Sequence, residues 1–158
     1  MTEPMHLYDA VVLKEWVDFN GHMNDAAYAI PFSRAIDALM DQIGLDAEGR
    51  KATNHTLFTL AMQLRFHHEV KEGAPLKVSG QILEIDAKRL RLYQWLRHGE
   101  TGTLLATCEQ LLASIDQTGP KISPFPTEAG AALQKLASDH ASFPTPEDAG
   151  QGIALKRK

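Results

Sequence analysis

The sequence predicts an α+β domain in which one antiparallel sheet packs a face against a single long helix. Three observations carry this. Tyr28, Phe32, Ala35, Ile36, Leu39, Met40 and Ile43 recur at offsets of three and four, laying one apolar stripe along a helix. Four strand-like segments follow, separated by the short connections Lys-Glu-Gly-Ala-Pro, Asp-Ala-Lys and Gly-Glu-Thr-Gly. One more strand-like segment precedes the helix, which gives the order of a sheet wrapped on one helix.

The elements read as follows. Leu7 to Trp16 holds enough Val and Leu for a first strand. Asn24 or Asp25 is placed to cap the helix and Gly44 to end it. Pro31 would break a helix interior, so a separate first turn or a kink is expected, with the main run starting near it. Leu57 to His68, Pro75 to Asp86, Arg89 to His98 and Thr103 to Ile115 read as strands. In the third, Leu90, Leu92, Gln94 and Leu96 make a core face, and Arg89, Arg91, Tyr93, Trp95 and Arg97 an open, basic and aromatic one. The fourth is apolar enough to be covered on both faces; a helix competes there, but bounding glycines favour a strand. Glu128 to His140 reads as a surface helix with Ala132, Leu133, Leu136 and Ala137 as its stripe. Residues 1–126 are thus expected to form the domain, and 127–158 a helix and flexible tail packed on it.

A chain of 158 residues fits one domain, and 44% hydrophobic with 23% charged residues excludes wholesale disorder. A net charge of −4 offers no general attraction to nucleic acid. No apolar run approaches the roughly 18 residues of a membrane span, and Met-Thr-Glu-Pro is no signal peptide. The single cysteine, Cys108, excludes an internal disulfide and suits a reducing, cytoplasmic setting.

Chemically capable residues concentrate just ahead of the helix, where Asp18, Asn20, His22 and Asn24 stand at alternate positions. Such a loop can aim several polar groups into one volume, beside the unpaired N–H groups of a first helical turn. Acyl transfer uses that combination, with donors for a developing oxyanion next to groups that orient water. Gly21 would let the backbone pass close to a ligand. The plainer reading is that these residues only make turn bonds and a helix cap.

The run Glu15-Trp16-Val17-Asp18-Phe19-Asn20-Gly21-His22-Met23-Asn24-Asp25-Ala26-Ala27-Tyr28 resembles the signature loop of hotdog-fold thioesterases, in the branch that hydrolyses acyl-carrier-protein and acyl-CoA thioesters. That resemblance implies a long central helix wrapped by an antiparallel sheet of about five strands. Together with Asp86-Ala87-Lys88-Arg89-Leu90-Arg91-Leu92-Tyr93 and Ala106-Thr107-Cys108-Glu109-Gln110-Leu111-Leu112, the loop is similar to the thioesterases of bacterial carnitine breakdown, found alone or fused behind carnitine dehydrogenase. The implied substrate is a small acyl-CoA, with betainyl-CoA yielding glycine betaine and free CoA. The implied catalytic set is Asp18, Asn20 and His22 from the loop and Glu69 from Arg65-Phe66-His67-His68-Glu69. Two histidines ahead of the glutamate leave open whether His68 or Glu69 faces the site.

Thioester hydrolysis needs a placed water, a base and an oxyanion cradle. His22 or Glu69 can take the water's proton, Asn20 can hold water or carbonyl, and the N–H groups around His22 and Met23 can polarise the carbonyl. Asp18 either orients these groups or attacks to give an anhydride. Adjacent His67 and His68 in a strand would point apart, which disfavours a metal, and no cofactor is implied. Cys108 reads as a buried filler. Lys88, Arg89, Arg91 and Arg97 form either a solvated face or a phosphate-binding strip for CoA, with Lys88 and Arg89 best placed at a strand start. A betaine headgroup wants aromatic walls, and Trp16 and then Tyr28 are the leading candidates. Competing functions are a fatty or aryl acyl-CoA thioesterase, with a long apolar tunnel, and a non-catalytic acyl-CoA-binding module. The open sheet edge further implies a homodimer or a tetramer, with sites shared between chains.

Overall fold

The computed structural model describes residues 3–155, so the Lys156-Arg157-Lys158 end of the expected tail lies outside the described residues. The strands are β1 (Met5–Val11), β2 (His55–Phe66), β3 (Pro75–Ile85), β4 (Arg89–His98), β5 (Leu104–Asp116) and β6 (Lys121–Ile122). The helices are α1 (Ala29–Gln42), α2 (Ala47–Thr53) and α3 (Thr127–His140), with 3-10 turns at Lys14–Trp16 and Asp25–Tyr28. All pairings are antiparallel in the order β1-β3-β4-β5-β2, with β6 on β5. This is the hotdog fold, a curled sheet around a central helix.

The first strand is shorter than its apolar pattern suggests. Val11 lies opposite Pro75, where β3 begins, and past it only Val12 still pairs, through its N–H on Ala74 O at 2.9 Å and its O on Gly73 N–H at 2.8 Å. The chain then turns through Lys14–Trp16 instead of continuing as strand. The Pro31 expectation is met by a separate 3-10 turn, Asp25–Tyr28, capped where the Asn24 side chain accepts from Ala26 N–H at 3.0 Å. Pro31 then falls in the first turn of α1, where a backbone N–H has no helical partner to lose. Gly44 ends the helix at φ +82°, and Leu45 N–H reaches back to Met40 O at 2.8 Å. Helix α2 has no buried residue and hence no apolar stripe to betray it; only its Asp46 cap signals it.

The stripe of α1 packs on the inner face of the sheet, where Phe32, Ala35 and Leu39 are fully buried with Val78, Leu92 and Leu96. β5 is covered on both faces, as its composition predicts. Tyr93 is the exception in β4, buried although it sits on the supposedly open face. The cover is the chain after α3. Asp148 accepts from the Tyr93 hydroxyl at 2.6 Å, Glu109 accepts from Gly150 N–H at 2.9 Å, and Gln151 O accepts from Arg65 at 2.7 Å. A strap rather than solvent therefore covers that part of the outer face. Among the described residues no helix is long and apolar enough to cross a membrane.

Where β3 bulges between Ile82 and Glu84, the freed Ile82 N–H donates to Nδ1 of buried His140 at 3.0 Å. Protonation would put a charge in a buried place and remove that acceptor. Burial thus holds the imidazole below its usual 6.5, with nearby Asp139 opposing part of the shift. The unfolded chain takes up this proton at ordinary histidine values, the native chain only at lower pH. Stability is therefore fully present above about pH 7 and falls as pH drops through the range near 6.5. Thermal melts at pH 7.5 and 5.5 should show the loss. His140→Asn keeps an acceptor that does not titrate, so its melting point should fall less over the same interval.

Candidate active site

The loop before α1 is built on Asp18. Its Oδ1 accepts from Asn20 N–H at 2.8 Å and His22 N–H at 3.3 Å, while its carbonyl accepts from Gly21 N–H at 3.0 Å. Gly21 sits at φ +76°, so the turn itself demands glycine there. Met23 N–H donates to Val70 O at 2.8 Å, and His22 bridges to Lys71, which staples the loop to the segment ahead of β3. That staple brings two residues 47 positions apart together: His22 Nδ1 lies 3.0 Å from Glu69 Oε2.

Glu69 lines a hollow of about 280 Å³ with Met23, Asp25, Tyr28, Phe66, His67 and His68. β2 stops at Phe66 because the His67 and His68 N–H groups both turn onto Leu105 O, at 2.8 and 3.2 Å. Off the strand, His67 and His68 both border the hollow. The Tyr28 hydroxyl donates to His68 O at 3.3 Å, and its ring meets Phe66 edge-on, with centroids 5.1 Å apart and planes at 83°. Burial, and then the Glu69 charge, push the Tyr28 phenol above its ordinary value.

His22, Glu69, Met23 and Tyr28 are thus gathered in one place, and His68 and Glu69 both border it. Asp18 and Gly21 shape the loop from behind, and Asn20 is exposed on its tip. The His22 and Met23 N–H groups expected to polarise a carbonyl are already spent, on Asp18 and Val70. Among the described residues the Asp25 N–H, at the start of the 3-10 turn, has no acceptor. Trp16 is half-buried, accepts through its carbonyl from Asn24 N–H at 2.8 Å, and does not line the hollow. Lys88 and Arg89 stand beside Ala113, whereas Phe66 stands beside Ala106, so about 23 Å of β5 separates them from the hollow within one chain. Asp86 clasps Arg89 through Oδ2 at 2.8 Å, and Arg91 and Arg97 are held by Glu109 and Glu3. A larger depression of about 470 Å³ is lined by the Asp86–Arg89 and Glu84–Arg91 ion pairs and by no imidazole. Cys108 is fully buried, and burial pushes its thiol up to about 12, leaving no thiolate at neutral pH. Asp25 is the lining residue that spacing arguments passed over, since it read only as a helix cap.

The model of the thioesterase-like superfamily matches residues 12–133, a span that includes the loop, the helix and the whole hollow. The chain belongs to that superfamily. It is 45% identical over 155 residues to the betainyl-CoA thioesterase of Pseudomonas aeruginosa, covering 98% of both chains. It is 34% identical to the L-carnitine dehydrogenase/betainyl-CoA thioesterase of Rhizobium meliloti, of which it matches 31% of the length. Among solved structures it resembles a Staphylococcus aureus protein in complex with CoA, with TM-score 0.88, 29% identity and 99% and 98% of the two chains covered. The match to the S. aureus protein covers 99% of this chain, and so spans the α3 helix and strap as well as the sheet.

Proposed function

We propose that this acyl-CoA thioesterase hydrolyses betainyl-CoA to glycine betaine and free CoA, with Glu69 as general base. The carrying observation is the short hollow. Its lining, with Asp25, Glu69, Tyr28 and Phe66, is charged and aromatic instead of a long apolar tunnel. That suits a small acyl group, and the identity to the P. aeruginosa enzyme supports the betaine. His22 Nδ1 stands 3.0 Å from Glu69 Oε2 and leaves the other carboxylate oxygen to accept a proton. A water gives that proton to Glu69 and its oxygen attacks the thioester carbon. The tetrahedral oxyanion is assigned to the Asp25 N–H, and Asn20 to contacting substrate from the loop tip. The C–S bond then breaks, and the CoA sulfur takes the proton back from Glu69.

Asp18 is assigned to positioning, because its carboxylate shapes the turn that presents His22. Asp18→Asn keeps an oxygen for both N–H groups and should retain activity within about tenfold. Asp18→Ala removes the acceptor and should cost more. Loss of about 100-fold in Asp18→Asn would instead make this carboxylate the base or nucleophile.

The site is also assigned to a homodimer. Among the described residues β2 is an edge strand with no neighbour on its outer side, and Phe58, Leu60, Met62 and Phe66 on it are 38–51% exposed. Joining two β2 strands antiparallel pairs the two edges, covers the apolar stripe and puts the hollow, through Phe66, at the seam. The same pairing brings the partner's Lys88 within three strand spacings, about 15 Å, of Phe66. Lys88 is the better phosphate contact, since Arg89 is already engaged by Asp86. Thiol release from a panel of CoA thioesters tests the whole reading: betainyl-CoA should lead, and a preference for long chains would reject the substrate.

A further inference from the structure

We infer that Asp25, Tyr28 and Phe66 form a subsite for a quaternary ammonium group, with Asp25 setting the preference for a cationic acyl chain. This rests on the hydrolytic reading of the same hollow. A trimethylammonium group has no hydrogen to donate, so its recognition falls to π faces and carboxylates. The hollow offers both. Tyr28 and Phe66 stand at 83° to one another and make an aromatic corner. The Tyr28 ring is fixed there, buried and tied by its hydroxyl to His68 O.

Among the described residues the lining carries two carboxylates and neither lysine nor arginine. Glu69 is engaged by His22 at 3.0 Å and is needed for the water. Asp25 is engaged only through Oδ1, by Ala26 N–H at 2.8 Å, and its Oδ2 has no hydrogen-bond partner among the described residues. The ammonium of a betainyl group lies one methylene from the carbonyl. A carbonyl held at the Asp25 N–H therefore leaves the cation close to the Asp25 side chain. Trp16, which does not border the hollow, is replaced by Phe66 as the second wall.

The test compares betainyl-CoA with 3,3-dimethylbutyryl-CoA, which has the same shape with carbon in place of the charged nitrogen. Wild-type protein should favour the betainyl substrate at least tenfold in kcat/KM. Asp25→Asn, which keeps the backbone N–H, should reduce that ratio tenfold or more, and Phe66→Leu should reduce it severalfold. Both side chains are exposed in the protomer, so folding should survive either change. Equal turnover of the two substrates by wild type, or an unchanged ratio in Asp25→Asn, would overturn the subsite while leaving the hydrolase intact. Turnover of other acyl-CoAs but of neither of these would overturn the betaine reading and the subsite with it.

Discussion

Glu69→Gln should lower kcat for thiol release by about 100-fold or more, the usual contribution of a general base, or about 2.7 kcal/mol of barrier. The substitution is nearly isosteric, and the loop is held independently by the Asp18 carboxylate and by Met23 N–H on Val70 O, so its geometry is preserved. What is lost is the ability to carry the water's proton. KM should move little, because that proton transfer occurs only on the way to the transition state. Glu69 is largely exposed, so a stability change would not account for the result. His22→Ala should fall between Glu69→Gln and wild type, because it releases the carboxylate without removing it. Full activity in Glu69→Gln would mean that another carboxylate activates the water, and Asp18 is then the one to examine.

The seam carries the second large effect. Leu60→Glu combined with Met62→Glu places two unpaired carboxylates where the proposed dimer is dry and apolar, at a cost of several kcal/mol per buried charge. The protein should then elute as a monomer in light-scattering chromatography. Its melting point should fall only through the lost association, since both side chains are 47% and 38% exposed in the protomer. Activity should drop with dissociation, because Phe66 and the hollow lie against the same edge and the partner's Lys88 is removed. A dimer that persists with full turnover would show that some other surface joins the chains.

The helix stripe and the four later strands were legible because burial on one face imposes a period, and that period survives in the chain from Tyr28 to Ile43 and from Arg89 to His98. Helix α2 was not legible, because nothing in it is buried. Asp18, Asn20, His22 and Asn24 stood out as a dense polar run, yet two of the four turn out to bind backbone N–H groups, as turn chemistry alone would have it. The His67-His68 pair misled in another way: alternation assumes a strand, and the strand ends one residue earlier.

Local sequence therefore settled which segments are helix and strand and which loop is rich in reactive side chains, since propensity, caps and periodicity act over a few neighbours. Tertiary structure alone decided that Glu69 meets His22, that Asp25 and Phe66 border the same hollow, that the chain after α3 covers Tyr93, and that Lys88 and Arg89 stand far from the site in their own chain. Those outcomes depend on strand order and on where each ladder stops. Both are set by which faces can be buried together across the whole chain, and no short window of residues contains that information.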